Sequence, residues 1–461
     1  MMDSSLPTIR KNKTLDSVFR VMGGMAEAIF SWVGSINKDL TRDQDIKNLY
    51  EKMKECLNPK GGEIKARYNT ISLGNLYLNL SDIGKTTFFR LLEEQFSADR
   101  NEIDEKIRDY IREIDEYEKR KLEFELMGVL ESPRFCILKQ FISLPDGLKF
   151  LVDMRADVMQ LRDKNQQFFS LEKDLINILS YWFDIGLLDL HQITWDSPAS
   201  LLEKLILYEA VHAISSWDDL RDRLDSDRRC FSFFHYKMLN EPLIFVEVAL
   251  VDEMASSIQT LLDSHVPPKD PKDAKVAIFY SISNTQRGLS GISLGNFLIK
   301  RVVGKLSEEF QNIKTYATLS PIPGFVKWLT KSLSLDDIEF LNELKITMSV
   351  DEIIFHLNEK KYSSFSQDLK GLFLKLCAYY LVESKNNDKA LDPVAHFHLS
   401  NGAIIKKLNW MADTSEKGLN CSMGIMVNYH YELSKIDDNY EDYLVNRKIN
   451  CSKEVLSLLK R

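Results

Sequence analysis

Three short segments of this chain combine residue types that could do chemistry. The first, residues 281–301, reads SISNTQRGLSGISLGNFLIKR: a β-forming run, a loop rich in glycine and serine, then the start of a helix. Gly288, Gly291 and Gly295 let the backbone turn tightly and come close to a ligand. Free N–H groups at a helix start favour an anion, so such a loop can hold a pyrophosphate. The spacing does not fit the dinucleotide pattern G-x-G-x-x-G, and a plain strand–helix connection is the competing reading. The second segment is LSPIPGF, residues 319–325. Ser320 precedes a proline and is therefore held extended. Two prolines and a glycine stiffen the exit, a good setting for a fixed hydroxyl; a polar turn residue is the plainer alternative. The third is DPVAHFHLSNGA, residues 392–403. If it is extended, His396 and His398 face the same side. No third ligand has recognisable spacing, so an acid–base histidine is favoured over a metal pair.

Two other features are set aside. Gly84-Lys85-Thr86-Thr87 resembles the end of a phosphate-binding loop. Its first glycine would fall on Asn79 and no strand precedes it, so a helix start is expected. The charge run at 99–123 reads as a solvated helix face.

The elements that must position these groups differ between the two parts of the chain. The first ~185 residues carry helical periodicity with almost no strand signal. Ile46, Leu49, Tyr50 and Met53 recur at helical spacing, and Ser81 or Asp82 can cap a helix through Phe88, Phe89 and Leu92. Residues 102–130 alternate charges over a long helical pattern, followed by helices at 147–161 and 171–183. Such amphipathic stripes can be buried only against one another, which predicts an all-α domain over residues 1–188. Beyond it, another helix begins near Ser200. Runs 230–235, 243–250, 275–282 and 315–319 are dense in β-formers, with a helix at 294–310 between the last two. This pattern predicts a mixed sheet with a crossover helix. Residues 336–385 look helical again, and 396–410 and 423–433 return to strand character. The fold class is therefore α+β, with a sheet domain over 189–461.

Composition bounds the function. The 461 residues are 44% hydrophobic and 28% charged, the balance of a soluble globular protein of more than one domain. A net charge of −8, spread along the chain, argues against nucleic acid or an anionic membrane as a general partner. No run is long and apolar enough for a membrane span. The six cysteines have wide, irregular spacings, which predicts reduced, packed thiols in a cytoplasmic protein rather than a zinc site or disulfide framework.

Two resemblances sharpen the reading. The 281–301 loop is similar to the pyrophosphate loop of GNAT-type acyltransferases, Q/R-x-x-G-x-G/A, with Ser290, Ser293 and Gly295 at the marked positions. The chain also resembles the malonyl-CoA decarboxylase family. The resembling stretches run, in order, GLKFLVDMRADVM, GLLDLHQITWDSP, EAVHAISSW, RRCFSFFH, AIFYSISNTQRGLSGISLGNFLIKRVV, LSPIPGF, DPVAHFHLSNGA, NWMAD and NYHYEL. They cover most of the chain from residue 147 onward.

That resemblance implies a helical domain followed by a GNAT-like catalytic domain, assembly into homo-oligomers, often tetramers, and no cofactor beyond the coenzyme A of the substrate. Malonyl-CoA would be converted to acetyl-CoA and CO2. By motif, Ser320 and His398 match the catalytic serine and histidine, and Tyr431 an active-site tyrosine. Ser290, Gly291, Ile292, Ser293, Leu294, Gly295 and Asn296 match the malonyl-CoA-binding loop. Ser293 stands where the family carries an acidic residue, and His396 where it carries asparagine. A role of that acid therefore does not carry over. A CoA-dependent acyltransferase would suit the same loop and fold, and so would a non-catalytic acyl-CoA sensor.

Overall fold

The computed structural model describes residues 27–57, 62–162, 168–292, 298–335 and 338–460. The chain forms two compact units: Met1–Trp182 with Arg287–Ile292, and Phe183–Gln286 with Ser293–Arg461.

The first unit is helical, and no strand occurs among its described residues. Helices Asp43–Leu57, Gly62–Asn79, Asp82–Gln95, Pro133–Gln140, Gly147–Arg162 and Phe169–Trp182 turn their apolar stripes toward a common core that includes Leu49, Met53, Phe88, Phe89, Leu92 and Leu151, all fully buried. Burying each such side chain stabilises the fold by roughly 1.5–3 kcal/mol. Of the two candidate caps, Ser81 closes the Asp82–Gln95 helix by accepting the N–H of Gly84 at 3.2 Å. Lys85, Thr86 and Thr87 then lie inside that helix, as expected for a helix start.

The long charged pattern at 102–130 forms two helices, Arg100–Arg112 and Glu116–Leu130. Asp115 breaks it: its carboxylate accepts the N–H groups of Tyr117 and Glu118, each at 3.0 Å, and starts a new helix. Neither helix buries a residue, in keeping with a solvated face.

The second unit is built on a mixed eight-stranded sheet of order β1-β2-β3-β4-β5-β10-β6, with β9 paired to β10. The strands are β1 Leu188–Ile193, β2 Arg228–His235, β3 Ile244–Val251, β4 Val276–Asn284, β5 Thr315–Thr318, β6 Ser320–Pro321, β9 Ile404–Asn409 and β10 Met426–Tyr431. A separate hairpin joins β7 Lys385–Asn386 and β8 Lys389–Ala390. Pairing in the main sheet is antiparallel except for β4 with β5, whose connection includes the crossover helix Leu298–Glu309. The α+β class and the mixed, helix-flanked sheet are those expected.

One core packs Ile278, Tyr280, Ala317, Leu319 and Met426 with Ile258 and Leu261; another packs Cys230, Phe234 and Phe245 with Leu202, Leu205 and Leu220.

In this unit one strand was not anticipated and one expectation is corrected. Residues 188–193 form β1, a strand the periodicity did not reveal. It pairs only with β2, and its burial alternates irregularly, so its sequence LDLHQI reads as polar. Residues 396–399 are helical rather than extended, within helix Pro393–Leu399, because Asp392 caps the N-terminus and a proline follows at the first turn. His396 and His398 therefore do not share a strand face, and strand structure begins only at Ile404.

Candidate active site

Ser320 opens β6, separated from the end of β5 by Leu319, and pairs with Val427 of β10. The proline after it and the turn through Pro323 lead into helix Phe325–Ser334, so its backbone is stiff on both sides. Ser320 is 6% exposed, and its hydroxyl donates to Oγ1 of Thr318 at 2.8 Å. Thr318 Oγ1 also accepts the backbone N–H of Tyr429 at 3.1 Å.

His398 lies in the last turn of helix Pro393–Leu399 and is 3% exposed. Its Nε2 is 3.1 Å from Ser320 Oγ, and its Nδ1 is 2.7 Å from the hydroxyl of Tyr431. Two of the rings beside it come from β10, and a third is that of Phe397 at 5.1 Å. Tyr429 stacks on the imidazole at 4.5 Å between centroids, and Tyr431, two residues on, points the same way along the strand. Serine, histidine and tyrosine thus form one continuous hydrogen-bonded chain.

Proton positions follow from donor counting. Ser320 has one hydrogen, directed at Thr318, so Nε2–H donates to Ser320 Oγ and Nδ1 accepts from Tyr431. Burial lowers the pKa of His398 to about 3 and raises that of Tyr431 well above its ordinary value. The chain is therefore neutral throughout near neutral pH, where each member can pass on a proton or polarise its neighbour without a fixed charge.

The structure brings Ser320, His398 and Tyr431 together. His396 goes elsewhere: its Nδ1 is 2.7 Å from the hydroxyl of Tyr443. Among the described residues no cluster of three or more His, Cys, Asp or Glu could hold a metal ion.

The loop residues divide. Ser290, Gly291 and Ile292 lie in the short segment that groups with the helical unit, whereas Ser293, Leu294, Gly295 and Asn296 lie outside the described residues. Gly291 has φ +78°, the left-handed region that favours glycine. Gly288 is required for packing. A side chain there would overlap the carbonyl of Val152, and the Gly288 carbonyl accepts from Arg155 Nη1 at 2.7 Å. A cleft of about 630 Å³ lined by Asp219, Arg223, Asp227 and His265 contains none of the residues singled out above; its lining is dominated by carboxylates, poorly suited to an anionic thioester.

Sequence reasoning missed Thr318, Tyr429 and Asp392. Tyr429 could have been found from its two-residue spacing to Tyr431 on a strand, and Asp392 from the helix-start signal Asp-Pro. Nothing local marks Thr318.

Comparison with known proteins gives the family. Residues 186–461 match the malonyl-CoA decarboxylase C-terminal domain, and 96–183 the N-terminal domain of the same family. The mitochondrial malonyl-CoA decarboxylase of Rattus norvegicus is 39% identical over 351 residues, covering 71% of each chain. The crystal structure of malonyl-CoA decarboxylase from Rhodopseudomonas palustris superposes with a TM-score of 0.80 at 36% identity, covering 89% of this chain and 99% of that one. The enzyme from Agrobacterium vitis gives 0.82 at 32% identity, over 90% of this chain and 100% of that one. With both domain families matched in order and solved relatives overlaid along nearly their whole length, this chain belongs to the malonyl-CoA decarboxylase family.

Proposed function

We infer that the chain removes CO2 from malonyl-CoA to leave acetyl-CoA, and that Ser320, His398 and Tyr431 act on the malonyl unit. The observation that carries this reading is the buried serine–histidine–tyrosine chain, with contacts of 3.1 and 2.7 Å, in a member of a decarboxylase family.

Breaking the bond to the carboxyl carbon releases CO2 and leaves its electron pair on the α-carbon, delocalised onto the thioester oxygen as an enolate. The thioester is its own electron sink, so the reaction needs no group beyond the coenzyme A of the substrate. The α-carbon then takes up one proton, which water restores to the protein.

A neutral imidazole suits this sequence of events. A cation beside the malonyl carboxylate would stabilise the charge where it starts and oppose its departure. Neutral donors aimed at the thioester oxygen favour the charge where it arrives. The Ser320 hydroxyl is the group assigned nearest the acyl unit. Ser320 gives its hydroxyl proton to the α-carbon and takes the one on His398 Nε2, while Tyr431 passes its phenolic proton to Nδ1, so the ring stays neutral and solvent water returns the proton to Tyr431.

Residues 290–296 are assigned to gripping the coenzyme A portion. The helical domain, 1–188, is assigned to self-association as a homo-oligomer, a tetramer in this reading; exposed Ile111, Phe124 and Met127 supply apolar surface for it. Unpaired cysteines at all six positions support a reducing compartment and the cytoplasmic reading, although the similar rat protein carries the word mitochondrial in its name. Among the described residues no helix is long and apolar enough to cross a membrane.

Purified protein incubated with malonyl-CoA alone tests the activity: stoichiometric acetyl-CoA and CO2 are expected with no acceptor present. Turnover that begins only when an amine acceptor is added would instead identify an acyltransferase, and binding without turnover a sensor.

A second expectation concerns pH. With a folded-state pKa of about 3 against an ordinary 6.5, the His398 ring stays neutral and its NMR signals do not titrate between pH 5 and 8. Its lowered pKa means the folded state resists protonation that the unfolded chain accepts. Stability from this residue is therefore fully present above the ordinary value and is lost as pH falls from 6.5 through about 3. A His398 titration centred near 6.5 in the folded protein would contradict its burial.

A further inference from the structure

Ser320 and His398 are 78 residues apart and sit on different elements, so their 3.1 Å contact requires those elements to be fixed against each other. We propose that Asp392 is the positioning residue that does this: one oxygen of its buried carboxylate holds the helix carrying His398, and the other holds the turn that leaves Ser320. The inference rests on the reading of Ser320 and His398 as the acting pair.

Asp392 is fully buried. Its Oδ1 accepts the N–H groups of Val394 and Ala395, each at 3.0 Å, capping helix Pro393–Leu399. That helix has seven residues, too short to hold its shape without help at its ends. His398 lies in its last turn, so a tilt at the capped end moves the imidazole.

The other oxygen faces the serine side. Oδ2 accepts the N–H of Gly324 at 3.4 Å and the hydroxyl of Tyr380 at 3.3 Å. Gly324 is the N-cap of helix Phe325–Ser334 and follows Ser320 by way of Pro321, Ile322 and Pro323. Two fixed proline φ angles transmit a shift at Gly324 to Ser320. Tyr380 locks the same turn from above, its ring packed against Phe325 at 5.9 Å and Trp328 at 5.1 Å.

The carboxylate thus sits at the N-terminal ends of two helices; burial pushes its pKa above the ordinary carboxylate value, and the N–H groups of Ala395, Gly324 and Val394 partly offset this. It reaches Ser320 and His398 through backbone and acts on their spacing rather than on substrate. Displacing one partner of a reacting pair by about 1 Å can cost about 10²-fold in rate, so the bridge is expected to tell on turnover.

Asp392→Asn tests the bridge, because asparagine caps a helix as well as aspartate but turns an amide N–H₂ toward Gly324 and Tyr380. We expect kcat to fall at least about tenfold per folded molecule, with KM for malonyl-CoA within about twofold and an unchanged circular dichroism spectrum. Tyr380→Phe, which removes one donor and leaves the carboxylate in place, should lower kcat by a smaller factor.

If Asp392 serves folding alone, the thermal transition drops while kcat per folded molecule stays within about twofold of the parent, and the proposal is overturned. Should Asp392→Asn not fold, Gly324→Ala takes its place: the added methyl overlaps the Tyr380 hydroxyl and lifts the turn away with the cap intact. Parental kcat in a folded Gly324→Ala protein then overturns the bridge. Ser320→Ala is run beside both variants. If it keeps full activity, the acting pair is wrong; if it is inactive while Asp392→Asn is not, only the bridge is wrong.

Discussion

His398→Gln is expected to lower kcat by roughly 10²–10⁴, the range for losing an acid–base group, with KM for malonyl-CoA nearly unchanged. The side chain of glutamine can reach only one of the two partners that the imidazole joins, Ser320 Oγ and Tyr431 OH. It can donate a hydrogen bond, but an amide does not give up and recover a proton as a ring with two nitrogens does. The loss should therefore appear in the chemical step, because coenzyme A recognition is assigned to a different part of the chain. The pocket keeps most of its packing, since the stacked ring of Tyr429 stays in place. Folding is monitored by circular dichroism and binding by the dissociation constant for acetyl-CoA. Activity within about tenfold of the parent in a folded His398→Gln protein would remove this histidine from the mechanism.

Ser320→Ala should cost at least about tenfold in kcat, and up to roughly 10²–10³ if its hydroxyl is a donor to the developing enolate oxygen. Two effects separate cleanly. The lost hydroxyl leaves His398 Nε2 and Thr318 Oγ1 each short of a partner, which lowers stability by about 1–3 kcal/mol. That change is read in the denaturation midpoint. The catalytic loss is read in single turnover, where substrate binding does not enter. Because serine and histidine act as one unit, the double substitution should be barely worse than the worse single one. Additive losses would mean that the two residues act independently and that the hydrogen-bonded chain is incidental.

The alternative catalytic histidine illustrates what a local pattern can and cannot decide. From DPVAHFHLSNGA the two histidines look equivalent, because an extended backbone would put both on one face. In the helix that forms, they are two residues and therefore about 200° apart. His396 meets Tyr443 and His398 meets Ser320, a difference in contacts that only the folded chain creates. The Asp-Pro pair that starts this helix was visible in the sequence, but the β-forming character of the following run outweighed it. The edge strand β1 was missed for the converse reason, since half of its residues face solvent and carry polar side chains.

What the sequence by itself determined was local and periodic: helices in the first part of the chain, strands and a crossover helix in the second, a hydroxyl on a proline-stiffened turn, and the motifs that placed the chain among its relatives. These are properties of neighbouring residues, set by steric preference, apolar spacing and capping. Only the tertiary structure decided which side chains meet. The contacts of His398 with Ser320 and Tyr431 span 78 and 33 residues, and Asp392 reaches Gly324 across 68. Such contacts exist because sheet register and core packing bring distant strands and helices together, and no short-range rule encodes the resulting distances. The neutral state of His398 has the same origin: its lowered pKa comes from burial, which the folded chain creates and the isolated motif does not possess.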